Sequence, residues 1–267
     1  MRFKKFIKPL VANLLRMQHK DRDDLESIAR YSFRPNNRAR IKEDIQKKYQ
    51  HESDLLDYFT SNDKTVVHKW HHYIPLYHRY FSPYRGLKIK FLEIGVSQGG
   101  SLQMWRNYFG DDAIIFGIDI NPECVKFNGQ AGQVRIGSQV DKAFLDSVIS
   151  EMGRVDIVLD DGSHQMKHIP VTLGYLFPHL NDGGIYMIED LHAAYWRKLG
   201  GGYRVKNNFF TVLMDLVDDM HHWYHAMGMK HASISQNCSG IHIHDSIVVL
   251  EKNQVYSPVH SRIGGTD

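Results

Sequence analysis

Two short stretches place pairs of carboxylates directly after apolar runs: VLDDGSH at 158–164 and MIEDLH at 187–192. Asp160 with Asp161, and Glu189 with Asp190, therefore fall where a strand would end. Four carboxylates brought together repel unless something positive sits among them. A hard divalent cation with oxygen ligands answers that need, and Mg2+ suits because it requires few protein carboxylates. Successive residues of a regular strand point to opposite faces, so both members of a pair can face one ion only past the strand end. His164 follows Asp161 by three residues. A neutral imidazole, with an ordinary pKa near ~6.5, is a suitable general base for a hydroxyl bound beside such an ion. The plain alternative is a set of solvated strand-end acids.

A second constellation lies upstream. FLEIGVSQGGS at 91–101 reads as a strand running into a glycine-rich turn and then a helix. Glu93 precedes Gly95, with Gly99 and Gly100 at the helix start, and glycines there let backbone approach a ligand closely. A phosphate-cradling dinucleotide turn would read G-x-G-x-x-G. The spacing here is G-x-x-x-G-G behind an acid, which fits a cationic amino-acid moiety better than a pyrophosphate. Asp119 ends the next apolar run, FGIDI. A carboxylate at that point can accept both hydroxyls of a ribose. Glycine turn plus acid fits an adenosine-containing cofactor.

The elements that must hold these residues alternate. Strands are expected at 88–94, 113–120 and 133–138 and in the segments 155–164 and 183–192, with helices after the glycine turn, over 139–153 and over 170–180. That rhythm predicts an α/β fold with a doubly wound, mostly parallel sheet covered on both faces. ASISQNCSGIHIHDSIVVLEK predicts a C-terminal antiparallel hairpin, and His242 and His244 alternate with Ile241 and Ile243 as the polar face of a strand. A long amphipathic helix is expected over 207–225, which would set His221 and His225 on one face, although no third metal ligand is evident. Upstream, helices are expected around 22–31 and 38–58. The aromatic and histidine-dense segment 64–84 reads equally as a lid over a substrate and as a helix on the sheet.

Composition sets the frame. The 267 residues are 42% apolar and 24% charged, an ordinary globular balance, and two cysteines (Cys124 and Cys238) exclude a disulfide scaffold. The net charge of +3 gives no basis for a nucleic-acid partner. It conceals an asymmetry: residues 1–50 hold 14 Lys+Arg against 6 Asp+Glu, leaving a mildly acidic body. Apolar positions from Phe3 to Leu15 recur at helical spacing among lysines. Burial of that stripe against protein is the favoured reading, and peripheral contact of residues 1–20 with an anionic membrane is the other. No apolar run reaches the ~20 residues of a membrane span, and a cytoplasmic location fits.

In this order, FLEIGVSQGGS, GIDI, RIGSQVD, VLDDGSH and GGIYMIEDLH resemble the class I S-adenosylmethionine-dependent methyltransferases. More narrowly they resemble the metal-dependent sugar O-methyltransferases of macrolide pathways, over roughly residues 63–251. The resemblance implies a Rossmann-like, seven-stranded domain over 63–267 with a basic helical extension over 1–62. It implies that Glu93, Gly95 and Ser101 border the methionine part of S-adenosylmethionine and that Asp119 holds its ribose. Ser138 and Gln139 would lie near the adenine, and Asp160 near the cofactor. Asp161, Glu189 and Asp190 would bind Mg2+, with Asp161 and His164 as the catalytic pair and His164 as the base. A small-molecule or glycan acceptor and a homo-oligomer are also implied. A catechol-like acceptor, a hydroxylase-type relative on the same fold, and a non-catalytic glycan- or membrane-associated partner are the rival readings.

Overall fold

The structure is a computed structural model that describes residues 37–265. The expected helices at 1–20 and 22–31 lie outside those residues.

Asn37 and Ser53 open the first two helices, α1 (Arg38–Tyr49) and α2 (Asp54–Ser61), each with a side-chain oxygen accepting from a first-turn N–H. The single helix expected over 38–58 is thus two. Gln50 takes a left-handed conformation (φ 49°) that ends α1, and Ser53 starts afresh. Next comes α3 (Tyr73–Phe81), in which Pro75 sits within the first turn, where its missing N–H costs no helix bond.

Seven strands follow in the sheet order β3-β2-β1-β4-β5-β7-β6. They are β1 (Lys90–Ile94), β2 (Ile114–Asp119), β3 (Gln133–Ile136), β4 (Val155–Asp160), β5 (Leu180–Ile188), β6 (Cys238–His244) and β7 (Ile247–Lys252). The first five are parallel, and β7 pairs antiparallel with β5 and β6. This is the Rossmann-like sheet with a closing hairpin that was expected. Helices α4 (Gly100–Phe109), α5 (Lys142–Met152), α6 (Ile169–Leu176), α7 (Phe209–Met220) and the short α8 (Ala232–Ser235) complete the set.

Alternation along each strand divides the core in two. Phe91, Ile157, Leu159, Met187 and Val249 face α1 to α4, while Leu92, Val158, Tyr186, Ile188 and Leu250 face α5, α6 and α7. Ile45, Leu55 and Leu56 of the first two helices belong to the first of these clusters. Within the segment 64–84, residues 73–81 form a helix on the sheet, with Tyr73, Ile74, Tyr77 and Phe81 fully buried, while the non-helical part before it carries Lys69 and Trp70 toward the strand ends. The expected helix over 207–225 stops at Met220. Asp219, buried and accepting from Lys230 N, His231 N and Ser235 Oγ, anchors the returning chain there. His221 and His225 consequently do not share a helix face, and each instead donates to a main-chain carbonyl, of Val217 and Asp218 respectively. The histidines of β6 are partly covered: His242 and His244 lie against the Tyr80 ring, while Ile243 is the most exposed of residues 241–244. Cys124 and Cys238 are buried free thiols. No helix among the described residues is long and apolar enough to cross a membrane.

Candidate active site

Strand register builds the site. Ile94, Asp160 and Ile188 stand level across β1, β4 and β5. The next residues, Gly95, Asp161 and Glu189, leave the sheet side by side. Backbone bonds continue one step further, with Asp161 N donating to Ile94 O and Glu189 N to Asp160 O, both at 3.0 Å. Alternation then separates each carboxylate pair. Asp160 points to the side of Tyr186, whose hydroxyl donates to Oδ2 at 3.0 Å, and Gln139 Nε2 donates to Oδ1 at 3.4 Å. Burial pushes the Asp160 carboxyl up to about 6. Asp161 points to the α3 side, as do Glu93 and Glu189.

On that side stands a cation. Lys69 donates to Asp161 Oδ2 at 2.5 Å and to Glu189 Oε2 at 2.8 Å. Burial pulls its ammonium down, but Asp161, Glu189 and Glu93 override that and hold it above its ordinary value. Tyr77 donates to Glu189 Oε1 at 2.6 Å and Tyr73 to Asp190 Oδ1 at 2.7 Å. These tyrosines are four apart on one face of α3, which aims both hydroxyls at the acids. Asp190 itself is left-handed (φ 55°), a turn that swings its side chain back toward β4. Burial would raise Asp190, yet His164 and the Tyr73 hydroxyl hold it below the usual carboxylate range.

His164 closes the group, also with a left-handed backbone (φ 53°). Its Nε2 is 3.7 Å from Asp161 Oδ1 and 3.7 Å from Asp190 Oδ2. One donor atom from each of Asp161, His164 and Asp190 lies within 4.8 Å of the others. The carboxylate oxygens of Asp161 and Asp190, partly accessible, suit a hard divalent ion, and the His164 imidazole stands beside them rather than among the ligands. Glu189 stands behind them, 1% exposed and bonded to Lys69 and Tyr77. A ladder of rings borders the group, with Trp70 and Trp196 centroids 5.3 and 4.9 Å from His192.

The glycine turn lies beside this cluster. Gly95 (φ +97°) passes so close to the β4 loop that a Cβ would sit 2.1 Å from Asp161 O, so only glycine fits. Asp119 Oδ2 accepts from Val96 N and Ser97 N, both at 2.9 Å, and Oδ1 from Asn121 N at 2.8 Å. One acceptor position on Oδ1 is left for a ligand hydroxyl. Glu93 is fully buried, accepts from Ser101 Oγ at 2.8 Å and Trp105 Nε1 at 3.1 Å, and burial pushes its carboxyl up to about 7. Gln139 accepts from Ser163 N at 2.7 Å and so braces the DDGSH loop, while Ser138 Oγ accepts from Val140 N at 3.4 Å. A turn too tight for any Cβ, a part-open acid at its side and carboxylates beyond suit an adenosine cofactor with a cationic head. Sequence reasoning missed Lys69, Tyr73 and Tyr77. The signal available was a lysine set directly among aromatic residues, beside Trp70, since lysine is rarely buried unless paired.

No family model matches the chain. Individual proteins do. The 8-demethyl-8-(2-methoxy-alpha-L-rhamnosyl)-tetracenomycin-C 3'-O-methyltransferase of Streptomyces olivaceus is 35% identical over 197 residues, 69% of this chain and 50% of that protein. Mycinamicin VI 2''-O-methyltransferase of Micromonospora griseorubida is 32% identical over 200 residues, 69% of this chain and 49% of that protein. The chain spans about half the length of the curated relatives it matches. Among solved structures, the MycE methyltransferase from the mycinamycin biosynthetic pathway, in complex with Mg and SAH, superposes with a TM-score of 0.66 at 30% identity. That match covers 76% of this chain and 54% of MycE. By sequence and by fold, the chain is a relative of the macrolide-type sugar O-methyltransferases and has their class I methyltransferase architecture.

Proposed function

We propose that the chain moves a methyl group from S-adenosylmethionine to a hydroxyl of a sugar or glycosylated small molecule, with help from a divalent cation such as Mg2+. The observation that carries this reading is the meeting of Asp161, His164 and Asp190 beside the glycine turn. The names of the relatives, which are sugar O-methyltransferases, support the acceptor class. When bound, the cofactor supplies an electrophilic methyl and the cation supplies positive charge beside the acceptor oxygen. The chain's own residues do the rest. Asp161, Glu189 and Asp190 provide the carboxylates for the cation. His164 Nε2 takes the acceptor proton, and Asp161 and Asp190, each 3.7 Å away, stabilise the imidazolium that results. Glu93, Gly95, Ser101 and Asp119 form the cofactor side of the site, and Ser138, Gln139 and Asp160 brace it from β3 and β4.

Methyl transfer from labelled cofactor to matched panels of glycosides and catechols tests this, with and without a chelator. Labelled glycosides and loss of transfer on chelation are expected. Transfer to catechols alone would replace the acceptor class, and a chain that binds no S-adenosylmethionine by calorimetry would end the reading. A homo-oligomer in the cytoplasm is part of the same proposal, and light scattering on the full chain checks the assembly. Contact of residues 1–20 with membranes is checked by liposome co-sedimentation with and without them.

A further inference from the structure

Lys69 has no part in the proposed chemistry, yet among the described residues it is the cation nearest to it. Any role for Lys69 at this site rests on the metal-assisted reading. Its side chain is 3% exposed, with Nζ bonded to Asp161 Oδ2 and Glu189 Oε2 and set 5.7 Å from the Tyr77 ring centroid. Both Glu189 oxygens are thereby committed, Oε2 to Lys69 and Oε1 to the Tyr77 hydroxyl. Asp161 is divided: Oδ2 faces Lys69, while Oδ1 faces His164 Nε2. The atoms left on the open side are Asp161 Oδ1, His164 Nε2 and Asp190 Oδ2.

Three carboxylates, Asp161, Glu189 and Asp190, with no internal cation would bind a divalent ion tightly and release it slowly. An ammonium held among them does two things. It cancels one negative charge, and it repels a second cation across a short, poorly screened distance. The geometry points to Lys69 as a positioning residue, a built-in cation with which a divalent ion competes for Asp161 and Glu189, so that ion binding stays weak and exchangeable. The role needs the charge of Lys69 and its place on two particular carboxylates. It does not require Lys69 to touch cofactor or acceptor.

Titrating the full chain with Mn2+, read by calorimetry and by the free-ion resonance signal, tests this without any turnover. Lys69→Met removes the charge, and Lys69→Gln removes it while keeping a hydrogen bond to the carboxylates. Both are expected to bind Mn2+ tighter than the native chain, roughly tenfold or more. Thermal melting and S-adenosylmethionine binding certify that each variant is folded, and Lys69→Gln decides the matter where Lys69→Met does not fold. A purely structural lysine gives the opposite result, because its loss loosens Asp161 and Glu189 and weakens the ion. Affinity that is unchanged or lower in either folded variant overturns the inference. Asp190→Asn separates this from failure of the underlying reading. If the native chain binds no Mn2+, or Asp190→Asn leaves its affinity intact, the metal site itself is wrong. If Asp190→Asn weakens binding but the Lys69 variants do not tighten it, only the role of Lys69 falls.

Discussion

Two neighbouring parts of this molecule carry acids singled out for chemistry, and they satisfy those acids differently. At the glycine turn, Glu93 is bonded to Ser101 and Trp105, and Asp119 to three backbone N–H groups. Most acceptor capacity there is spent inside the chain. At the ends of β4 and β5, Asp161 and Asp190 are about a quarter exposed, and the nitrogen of His164 lies 3.7 Å from both, too far for a hydrogen bond. The first part is a stiff frame that gives a cofactor its shape. The second keeps donors in reserve for something that arrives. Substitutions should therefore separate into those that cost stability and those that cost activity.

The largest separation is expected at the open edge. His164→Ala should lower kcat by about 10²–10⁴-fold, the usual worth of a general base. Its side chain is 26% exposed and its contacts are long, so the melting temperature should stay near that of the native chain. Steady-state rates beside a melting curve check both halves. A variant that unfolds early would place His164 in the frame instead. Gly95→Ala should show the reverse. Its Cβ would press on the main chain of Asp161, and its φ of +97° is strained for any side chain. A loss of about 3 kcal/mol is expected by denaturant titration, and one below about 1 kcal/mol would show that the turn can relax.

The same division explains what could be read in advance. The strands themselves, the hairpin and the acids at strand ends were legible because each rests on local pattern: apolar runs, a glycine turn, carboxylates just past the run. Asp161, His164 and Asp190 converge as their positions in sequence implied. What was not legible depends on one chain segment crossing to another. Lys69 is 92 residues from Asp161 and 120 from Glu189, and no periodicity encodes that meeting. The break at Gln50 and the stop at Met220 were missed for a similar reason. A left-handed residue and a buried Asp219 anchoring a later loop override helix-compatible sequence.

A pH series sharpens the frame side. Burial raises the Glu93 carboxyl to about 7 in the fold, whereas an exposed one titrates near 4.5. Below about 4.5 both states are protonated, so the shift costs nothing. As pH rises toward 7 the unfolded chain gives up its proton while the fold keeps it, and stability is lost across that window. Glu93→Gln cannot titrate. Its melting temperature minus that of the native chain should therefore climb between pH 4.5 and 7 and level off above. A difference that stays flat would mean the buried carboxyl is already ionised at acid pH, and that Lys69 reaches it more strongly than burial does.

The smallest effect is expected where frame and open edge overlap, at Asp119. Asp119→Asn keeps the shape but has one acceptor oxygen. If that oxygen stays on Val96 N and Ser97 N, the new amide faces Asn121 N, donor against donor. One hydrogen bond and the charge assistance to two others go, about 1 kcal/mol at a partly exposed site. Ribose recognition would also lose an acceptor, so S-adenosylmethionine should bind roughly tenfold more weakly. Calorimetry and melting on the same preparation separate the two roles. Weaker cofactor with a small stability loss puts Asp119 in both regions. A stability loss with unchanged cofactor affinity confines it to the turn, and the ribose then needs another acceptor on the β2 edge.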